Sequence, residues 1–267
     1  MVEWLADGRF QSGESLGQRL GVSRAAVWKQ VRELERLGLE VQAVRGKGYR
    51  LAERLELLDV EAIRAMLTPA SRNALAAIEY FHELDSTNDY LRARGEAASG
   101  TVCLAERQTR GKGRRGRNWV SPYGTNLYLS LSWRFESGLS ALAGLSLVVG
   151  ISLIRALQQL GVEGAGLKWP NDIYLQGAKL AGVLIEVSGE SAGPCSAVIG
   201  IGVNVAMPEQ QGRHIDQRWT DLRAHGVPVS RNQLAAALLK QLLPALAEFA
   251  RHGMQPFQEE WQRPDLS

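Results

Sequence analysis

A stretch of glycines and cations between Gln108 and Trp119 has the composition of an anion-binding loop. Residues 107–117 contain six lysines and arginines and no acid, and three glycines alternate with the cations. Glycines let the backbone approach a ligand closely, and the cations could neutralise a polyphosphate or an acyl phosphate. A second nucleic-acid contact would have the same composition, so composition alone does not decide between the two.

A lysine, an amide and a carboxylate lie close together further along the chain. Residues 168–172 read Lys-Trp-Pro-Asn-Asp, and Lys179 begins a predicted strand that runs to Val187. On a regular strand Lys179 shares a face with Ala181, Val183 and Ile185, which lets its stem pack while its ammonium binds a carboxylate. A surface lysine at a strand start is an equally good interpretation when this segment is taken alone.

Three other patterns suggest a functional site, but the residues around them do not fit it. Gly13-Glu14-Ser15-Leu16-Gly17 matches a hydrolase nucleophile elbow, but no strand precedes it. Residues 161–168 lack the Lys-Ser/Thr pair of a phosphate-binding P-loop. The four histidines have no ligand spacing, so we expect no metal site built from protein side chains.

The first fifty residues predict a winged helix–turn–helix. Ser23 is a suitable N-cap for a helix that runs to about Leu37, with Val27, Val31 and Leu34 as its buried stripe. Two short strands, Val41 to Val44 and Tyr49 to Leu51, flank a basic loop tip. Such a unit binds DNA through its second helix and wing, and the alternative is a protein-interaction domain with a solvated basic face. The residues expected to face DNA are Ser23, Arg24, Ala25, Trp28, Lys29, Arg32 and Lys47.

Later segments mix helical and strand periodicity and predict an α+β domain with a mostly antiparallel sheet. We expect a first domain over residues 1–60 and a second over residues 61–267. Helices are predicted at Leu139 to Leu160 and at Asn232 to Phe249, the latter ending or kinking at Pro244. Strands are predicted at Lys168 to Leu175, Lys179 to Val187 and Cys195 to Val205. On the last of these, Gly200 and Gly202 keep one face small, as a flat ligand requires.

Composition limits the class of protein. The 267 residues are 45% hydrophobic and 22% charged, with a net charge of +3, which is typical of a globular chain. Two cysteines and an acidic N-terminal segment predict a cytoplasmic location without a disulfide scaffold or signal peptide. The uncharged run from Ser137 to Ile154 is too short and polar for a membrane span, so we interpret it as a buried helix.

Five motifs, taken in order, resemble those of the biotin protein ligases. They are Asp85-Ser-Thr-Asn88, the 108–119 loop, Lys168-Trp-Pro-Asn-Asp172, Lys179-Leu-Ala-Gly182 and Gly200-Ile-Gly-Val-Asn204. Ser23-Arg-Ala-Ala26 and Gly46-Lys-Gly-Tyr49 look like the bifunctional subgroup, whose members also repress biotin-synthesis genes. The resemblance implies a catalytic domain like that of class II aminoacyl-tRNA synthetases. It also implies a two-step reaction, in which biotin and Mg²⁺-ATP form biotinyl-5′-adenylate, which then acylates a lysine of a carboxylase carrier domain.

The resemblance also implies roles for residues that match the motifs. The catalytic residues would be Lys179, Arg114 and Asp172, with Lys179 holding the biotin carboxylate and α-phosphate and Asp172 orienting magnesium or the acceptor lysine. The biotin-binding residues would be Ser86, Thr87, Asn88, Gln108, Gly111, Lys112, Gly113, Arg114 and Lys179. The adenylate- and ATP-binding residues would be Arg114, Arg115, Arg117, Trp119, Lys168, Asn171, Asn204 and Trp219, with Trp219 stacking on adenine.

The sequence departs from the family pattern at two points. Position 112 is Lys where many members have Arg, which removes a bidentate grip on phosphate. A small C-terminal β-barrel usual in the subgroup is not expected in this sequence, which puts transfer in doubt more than biotin binding. This departure favours, as one alternative, a biotin-sensing repressor with little ligase activity. The other alternative is a lipoate ligase, because lipoate ligases share the catalytic fold. The family also implies a homodimer that forms on adenylate binding and binds operator DNA.

Overall fold

The computed structural model describes residues 1–95, 97–189 and 193–261, which form two compact units. The first unit contains residues 1–57 together with residues 122–124. The second contains residues 58–121 and the described residues from 125 onward. Each unit has a hydrophobic core of its own.

The first unit has three helices followed by a two-stranded sheet. The elements are α1 (Val2–Leu5), α2 (Gly13–Leu20), α3 (Arg24–Arg36), β1 (Val41–Val44) and β2 (Gly48–Leu51). Ser23 caps α3, since its Oγ accepts a hydrogen bond from the Ala26 amide. Gly21 ends α2 in the left-handed region, with φ of 64°. These local signals confirm the predicted helix–turn–helix.

The core of this first unit gathers residues from all three helices and from a distant part of the chain. Leu5, Leu16 and Val27 are fully buried, and Tyr123 is only 3% exposed in the same cluster. Val31 and Leu34 are also buried, which confirms the predicted apolar stripe of α3. In the wing, Gln11 pairs with Tyr49 beside the β1–β2 sheet. Because a Cβ at Gly48 would lie 2.0 Å from the Gln11 carbonyl oxygen, only glycine fits there.

The second unit is built on a seven-stranded sheet of order β3-β4-β5-β9-β8-β7-β6. Among the described residues, β3 and β4 are the one parallel pair of this sheet, and the other neighbouring pairs are antiparallel, which agrees with the predicted mostly antiparallel sheet. The strands are β3 (Ala77–Phe81), β4 (Thr101–Ala105), β5 (Leu127–Phe135), β6 (Ala165–Lys168), β7 (Asp172–Leu175), β8 (Ala178–Gly189) and β9 (Cys195–Val203). The helices are α4 (Val60–Met66), α5 (Pro69–Ala74), α6 (Thr87–Ala93), α7 (Leu145–Gln159), α8 (Glu209–Gly212), α9 (Arg231–His252) and α10 (Gln258–Trp261).

Helices cover both faces of this sheet. Helices α7 and α9 share the main core with β5, to which Leu127, Leu129 and Leu131 contribute. Helix α6 lies on the other face, where Leu91 packs against Cys103 and Val198. The period of two along β5 sends its serines to the α6 face. That face is the one that carries the polar motifs.

Two predicted helices differ from those observed. The segment from Leu139 begins as a 3-10 turn, Leu139–Leu142, and α7 starts only at Leu145. Gly144 separates them with φ of 91°, and a Cβ there would lie 2.3 Å from the Met254 side chain. Helix α9 does not end at Pro244 but continues to His252. Pro244 is exposed while its neighbours Leu243 and Ala245 are buried, so packing of the inner face outweighs the lost backbone hydrogen bond.

The predicted strand over residues 168–175 is in fact two strands joined by a turn. Strand β6 ends at Lys168 and β7 begins at Asp172, which is its direct partner across the turn. The intervening turn contains a cis peptide bond between Trp169 and Pro170. Strand β9 ends at Val203, two residues before the predicted end.

The segment Leu139–Gln159 is long and apolar enough to cross a membrane by length and composition, with mean hydropathy of 1.9. In this structure α7 is a core helix, since ten of its fifteen residues are buried and it shares a hydrophobic cluster with α9 and the sheet. The core helix of a globular protein satisfies the same length and composition criteria, so they are weak evidence for a membrane span.

Candidate functional site

Three glycines form the floor of a cleft on the α6 face of the sheet. A Cβ at Gly200 would lie 2.2 Å from Asn88 Oδ1, and a Cβ at Gly202 would lie 2.5 Å from the Trp119 indole. A Cβ at Gly182, on the neighbouring strand, would lie 3.0 Å from the same indole. The small face predicted for β9 therefore accommodates two of the protein's own side chains, and these define the walls of the cleft.

The first wall is the N-terminal end of α6. Ser86 caps this helix, and Ser86, Thr87 and Asn88 are all at most 4% exposed. Gln108 Oε1 accepts hydrogen bonds from the Thr87 amide at 2.9 Å and from its hydroxyl at 3.1 Å. Gln108 Nε2 in turn donates to Ser121 Oγ at 3.1 Å. The structure thus brings together the predicted biotin-binding residues Ser86, Thr87, Asn88 and Gln108.

A buried serine extends this network towards a carboxylate. Ser130 Oγ lies 2.7 Å from Thr87 Oγ1 and 2.6 Å from Asn88 Oδ1. Asn88 Nδ2 donates to Glu186 Oε2 at 2.9 Å, and Glu186 also pairs with Arg92 at 2.7 Å. With both ends engaged, the Asn88 amide is held in one orientation, which is what recognition of a polar ring requires.

Lys179 and Asp172 form an ion pair at the other side of the cleft, with Nζ 2.8 Å from Oδ1. Lys179 is 9% exposed, so most of its side chain is withdrawn from water and the Asp172 carboxylate compensates its charge. The Lys179 amide donates to the Arg218 carbonyl, and its carbonyl accepts from the Thr220 amide. Side chain and backbone are both fixed, so the predicted catalytic pair Lys179 and Asp172 is preorganised.

The strand face predicted for Lys179 was wrong. Tyr174 pairs with Lys179 while Ile173 pairs with Ala181, which leaves Leu180 as an extra residue in β8. A β-bulge of this kind re-aims one side chain relative to the strand beyond it. Ala181 and Val183 point into the main core, whereas Lys179 Cε lies 3.4 Å from the Cβ position of Gly182 on the cleft face.

The Trp119 indole fills the space between the glycine floor and the lysine. Lys179 Nζ lies 5.5 Å from the centre of the indole, within the range of a cation–π interaction. Trp119 Nε1 is buried without a hydrogen-bond partner within the described part of the chain. The cavity beside the indole has a volume of about 50 Å³. Its other lining residues include Lys179 and the residues Ser86, Thr87 and Asn88 at the N-terminal end of α6. Any ligand larger than that volume must share the cleft with the indole or displace it.

The glycine- and cation-rich loop lies over this cleft. Lys112 pairs with Asp89 at 2.7 Å, and Arg114 Nη1 donates to Asn171 Oδ1 at 3.0 Å. A Cβ at Gly111 would lie 2.4 Å from the Trp119 carbonyl oxygen, so the loop doubles back tightly there. The exposed arginines of the loop border a second cavity, of about 1010 Å³. The loop is therefore tied down at Lys112, at Arg114 and at Arg110, which lies 3.8 Å from Asp85. Arg115 and Arg117 face an open space large enough for a nucleotide.

Three predicted adenylate residues take other positions. Lys168 lies over the Tyr174 ring at 4.5 Å. The Trp219 indole packs on Gly212 and donates to its carbonyl oxygen at 3.0 Å. Asn204 Nδ2 donates to the Thr220 carbonyl, while its Oδ1 is buried without a partner among the described residues. Trp219 thus lies within the segment, residues 218–220, that binds the Lys179 backbone, and Asn204 binds the end of that segment. Neither residue lines the cavities above.

In the first unit, α3 presents a continuous exposed face. Ser23, Arg24, Ala25, Trp28, Lys29 and Arg32 are all exposed, as is Lys47 in the wing. The Arg32 guanidinium stacks on the Trp28 indole at 5.1 Å and pairs with Glu35 at 2.9 Å. The face combines cations with one large aromatic ring, as expected of a helix that enters a DNA groove.

Comparison with known proteins identifies the family. Residues 80–204 match the Biotin/lipoate A/B protein ligase family, and residues 1–50 match an HTH domain. The chain is 45% identical to a protein of Salmonella typhimurium named bifunctional ligase/repressor BirA, with 99% of the chain and 81% of that protein aligned. The chain belongs to the bifunctional ligase/repressor family. The Escherichia coli and Bacillus subtilis proteins of the same name are 44% and 31% identical over 99% and 96% of the chain and 81% and 80% of their own lengths.

Solved structures agree with this family assignment. A biotin protein ligase from Aquifex aeolicus in complex with biotin and ATP superimposes with a TM-score of 0.58 at 32% identity, covering 70% of the chain and 77% of its own. A Leishmania major biotin protein ligase in complex with biotinyl-5-AMP gives 0.55 at 26% identity, covering 72% and 83%. The catalytic fold of the ligase/repressor is therefore that of biotin protein ligases.

Sequence reasoning missed three polar residues of the ligase/repressor cleft. Ser130 and Glu186 orient Asn88, and Ser121 binds Gln108 and the Trp119 carbonyl oxygen. A signal for Ser130 existed, because it interrupts the leucines of β5 at a position facing the same side as the small residues of β9. No local pattern identifies Glu186, because its partners Asn88 and Arg92 are distant in sequence. Ser121 bonds to the nearby Trp119 carbonyl, but its contact with Gln108 depends on the fold of the loop.

Burial also sets the protonation of uncharged groups in the ligase/repressor. Tyr128 lines the cleft, and complete burial raises the pKa of its hydroxyl well above the usual value. Burial likewise raises the pKa of Cys103 to about 12. Both groups therefore stay neutral at physiological pH and add no charge to the cleft.

Proposed function

We propose that this chain is a biotin–protein ligase that also represses transcription by binding operator DNA. In the first step, a carboxylate oxygen of biotin attacks the α-phosphorus of ATP, the bond to pyrophosphate breaks, and biotinyl-5′-adenylate forms. In the second step, the amine of an acceptor lysine attacks the acyl carbon, loses a proton, and AMP leaves. The observation that carries the ligase proposal is the Lys179–Asp172 pair, with its lysine buried, facing the Thr87–Gln108 network across a glycine floor.

Positioning is the first task of the cleft. The biotin ureido ring offers N–H donors and a carbonyl acceptor, which match the hydroxyl and amide groups of Ser86, Thr87, Asn88 and Gln108. This polar end lies opposite Lys179, so the biotin carboxylate extends towards the ammonium. Holding both reactants in place supplies an effective-molarity gain that free biotin and ATP lack.

Charge neutralisation is the second task, because a carboxylate and a triphosphate repel one another. Lys179 supplies a fixed positive charge where the carboxylate meets the α-phosphate. Arg114, Arg115 and Arg117 lie beside the large cavity and would stabilise the pyrophosphate as it leaves. Lys112 is already paired with Asp89, so its contribution to phosphate binding is smaller.

Magnesium would enter with ATP as part of the substrate. Within the described residues, no group of three His, Cys, Asp or Glu side chains could hold an ion. Magnesium in nucleotide sites is usually held by one or two carboxylates together with phosphates, and Asp172 is suitably placed as such a carboxylate. When bound, the ion would draw charge from the phosphates.

Protection of the intermediate is the third task. A mixed anhydride is hydrolysed by water, and a closed loop excludes water. The hydrogen bond from Arg114 to Asn171 ties the loop to the β6–β7 turn, which supports a closed state. Adenine stacking by Trp219 stays a prediction, and it requires the indole to leave Gly212.

The N-terminal unit would bind operator DNA through α3 in the major groove and Lys47 on phosphates. The exposed cations give affinity, and Trp28 is suited to apolar contact with thymine methyl groups. We further propose a cytoplasmic location and a homodimer that forms on adenylate binding. Sedimentation with and without adenylate tests the dimer, and a monomer at saturating adenylate contradicts it.

The deciding experiment follows pyrophosphate release and carrier labelling in parallel, with biotin, Mg²⁺-ATP and a carboxylase carrier domain. Both should appear in the wild type. Lys179→Gln should slow pyrophosphate release by about 100-fold or more, because a fixed charge on the reacting atoms is lost. Biotin binding without pyrophosphate release would instead favour a biotin-sensing repressor, and absence of biotin binding would contradict the site.

A further inference from the structure

The most exposed large apolar side chain of the described chain stands beside the catalytic cleft. Trp169 is 71% exposed, whereas Trp28 on α3 is 51% exposed. The residues that follow it belong to the cleft, since Pro170 borders the large cavity, Asn171 binds Arg114, and Asp172 pairs with Lys179. Trp169 itself lines neither cavity. The indole thus stands at the rim, where a partner too large to enter would meet it.

The turn that carries Trp169 is held in place. The Asn171 carbonyl accepts from the Val183 amide at 2.8 Å, and Asn171 Nδ2 donates to the Val183 carbonyl at 2.8 Å. Lys168 and Asp172 are opposite each other in the antiparallel β6–β7 ladder, at the base of the turn. A ring presented on a fixed turn loses little entropy on binding, and tryptophan is enriched among residues that dominate interface energies.

The positive charge beside Trp169 indicates which charge a partner protein should carry. The loop over residues 107–117 has six cations and no acid. Within the described residues, Arg115 and Arg117 form no ion pair with a carboxylate. In the first half-reaction these cations can face the polyphosphate, and once pyrophosphate leaves they are again uncompensated. A partner that arrives afterwards is therefore favoured if it carries carboxylates.

We propose that Trp169 and the Arg115–Arg117 segment form the docking surface for the protein that carries the acceptor lysine. This inference rests on the proposed ligase function. The acceptor protein covers Trp169 with an apolar patch and places carboxylates opposite Arg115 and Arg117. Its lysine then reaches over the rim towards the adenylate beside Lys179.

The test separates the two half-reactions. In Trp169→Ala, pyrophosphate release should stay within twofold of wild type, while KM for the carrier rises by about 30-fold, the effect of losing one dominant interface side chain. Trp169→Phe keeps an aromatic ring and should show a smaller rise. Val44→Ala, an exposed apolar residue of the other unit, is the control and should change neither quantity.

A second measurement does not depend on turnover. A carrier domain whose acceptor lysine is replaced by arginine should bind the wild type more tightly than Trp169→Ala, and added salt should weaken that binding. An unchanged KM and unchanged carrier affinity in Trp169→Ala would overturn the docking surface. Slower pyrophosphate release in that variant would also overturn it, since the indole would then contact the nucleotide. Absence of adenylate formation in the wild type would instead contradict the proposed function.

Discussion

Single atoms decide the shape of the cleft, and Gly200 is the clearest example. Its missing Cβ leaves room for Asn88 Oδ1, which accepts a hydrogen bond from Ser130 Oγ, while Asn88 Nδ2 donates to Glu186. We expect Gly200→Ala to displace Asn88 and weaken biotin binding by about 1–3 kcal/mol, the usual effect of overpacking. Calorimetric titration with biotin measures this.

A double-mutant cycle distinguishes displacement from general damage. In the Asn88→Ala background the clashing amide is absent, so Gly200→Ala should cost little further affinity. If the two substitutions are additive, Gly200 does not act through Asn88.

Asn171 is the second residue whose role follows from its contacts. It accepts from Arg114 in the loop and donates to Val183 in the sheet. Losing a hydrogen bond to a charged group should speed adenylate dissociation from Asn171→Ala by about tenfold. Asn171→Asp keeps an acceptor for Arg114 and serves as the matched control. Stopped-flow release of adenylate gives the rates, and equal rates in wild type and Asn171→Ala would show that the loop is not held by this bond.

At the scale of elements, α9 crosses Pro244 without ending. The proline is exposed and costs a backbone hydrogen bond, so Pro244→Ala should raise the free energy of unfolding. The gain should be about 1–2 kcal/mol, because proline also restricts the unfolded chain and offsets part of the difference. Urea denaturation followed by circular dichroism measures it, and a lower midpoint would mean that the proline stabilises α9 at this position.

The exposed cations of α3 and the wing predict how DNA affinity depends on salt concentration. Each lysine that contacts a phosphate contributes about −0.9 to the slope of log K against log salt concentration. Lys29→Ala and Lys47→Ala should each make that slope less negative by about 0.9 for every protein chain bound to the DNA. Arg36 is exposed on the same helix but pairs with Glu33, so Arg36→Ala is the control and should leave the slope unchanged. Unchanged slopes in both lysine variants would argue against this face as the DNA surface.

Local patterns in the sequence were sufficient to predict the elements that local contacts stabilise. Ser23 as a cap, the Val27–Leu34 stripe and the wing follow from hydrogen bonds and periodicity within a few residues. The face of Lys179 could not be predicted, because a bulge against β7 sets it. The break at Gly144 escaped prediction for the same kind of reason, since Met254 packs against it from far along the chain. Motif identity indicated which residues to expect in the cleft, whereas the Ser130 and Glu186 contacts depend on tertiary structure.

At the scale of the whole molecule, the first unit is completed by three residues from the middle of the chain. Tyr123 is 3% exposed and packs with Leu5, Leu16 and Val27. We expect Tyr123→Ala to destabilise this unit by about 3 kcal/mol, as loss of a buried ring does. Hydrogen exchange should show lower protection in α2 and α3 but not in α7 and α9, and Tyr123→Phe should keep most of the protection. Equal loss in both units would contradict their separate cores.

The same discontinuity affects the order of events on the ribosome. When residue 57 has been synthesised, the N-terminal core still lacks Tyr123, and another 67 residues, 58 to 124, must follow before it can close. At about 5–20 residues per second this delay lasts roughly 3–13 s. During that interval the nascent N-terminal segment exposes apolar surface that the finished protein buries. A chaperone that protects emerging chains has its longest opportunity to bind here, and a stalled nascent chain ending shortly after residue 57 should be more sensitive to protease than one that includes residue 124.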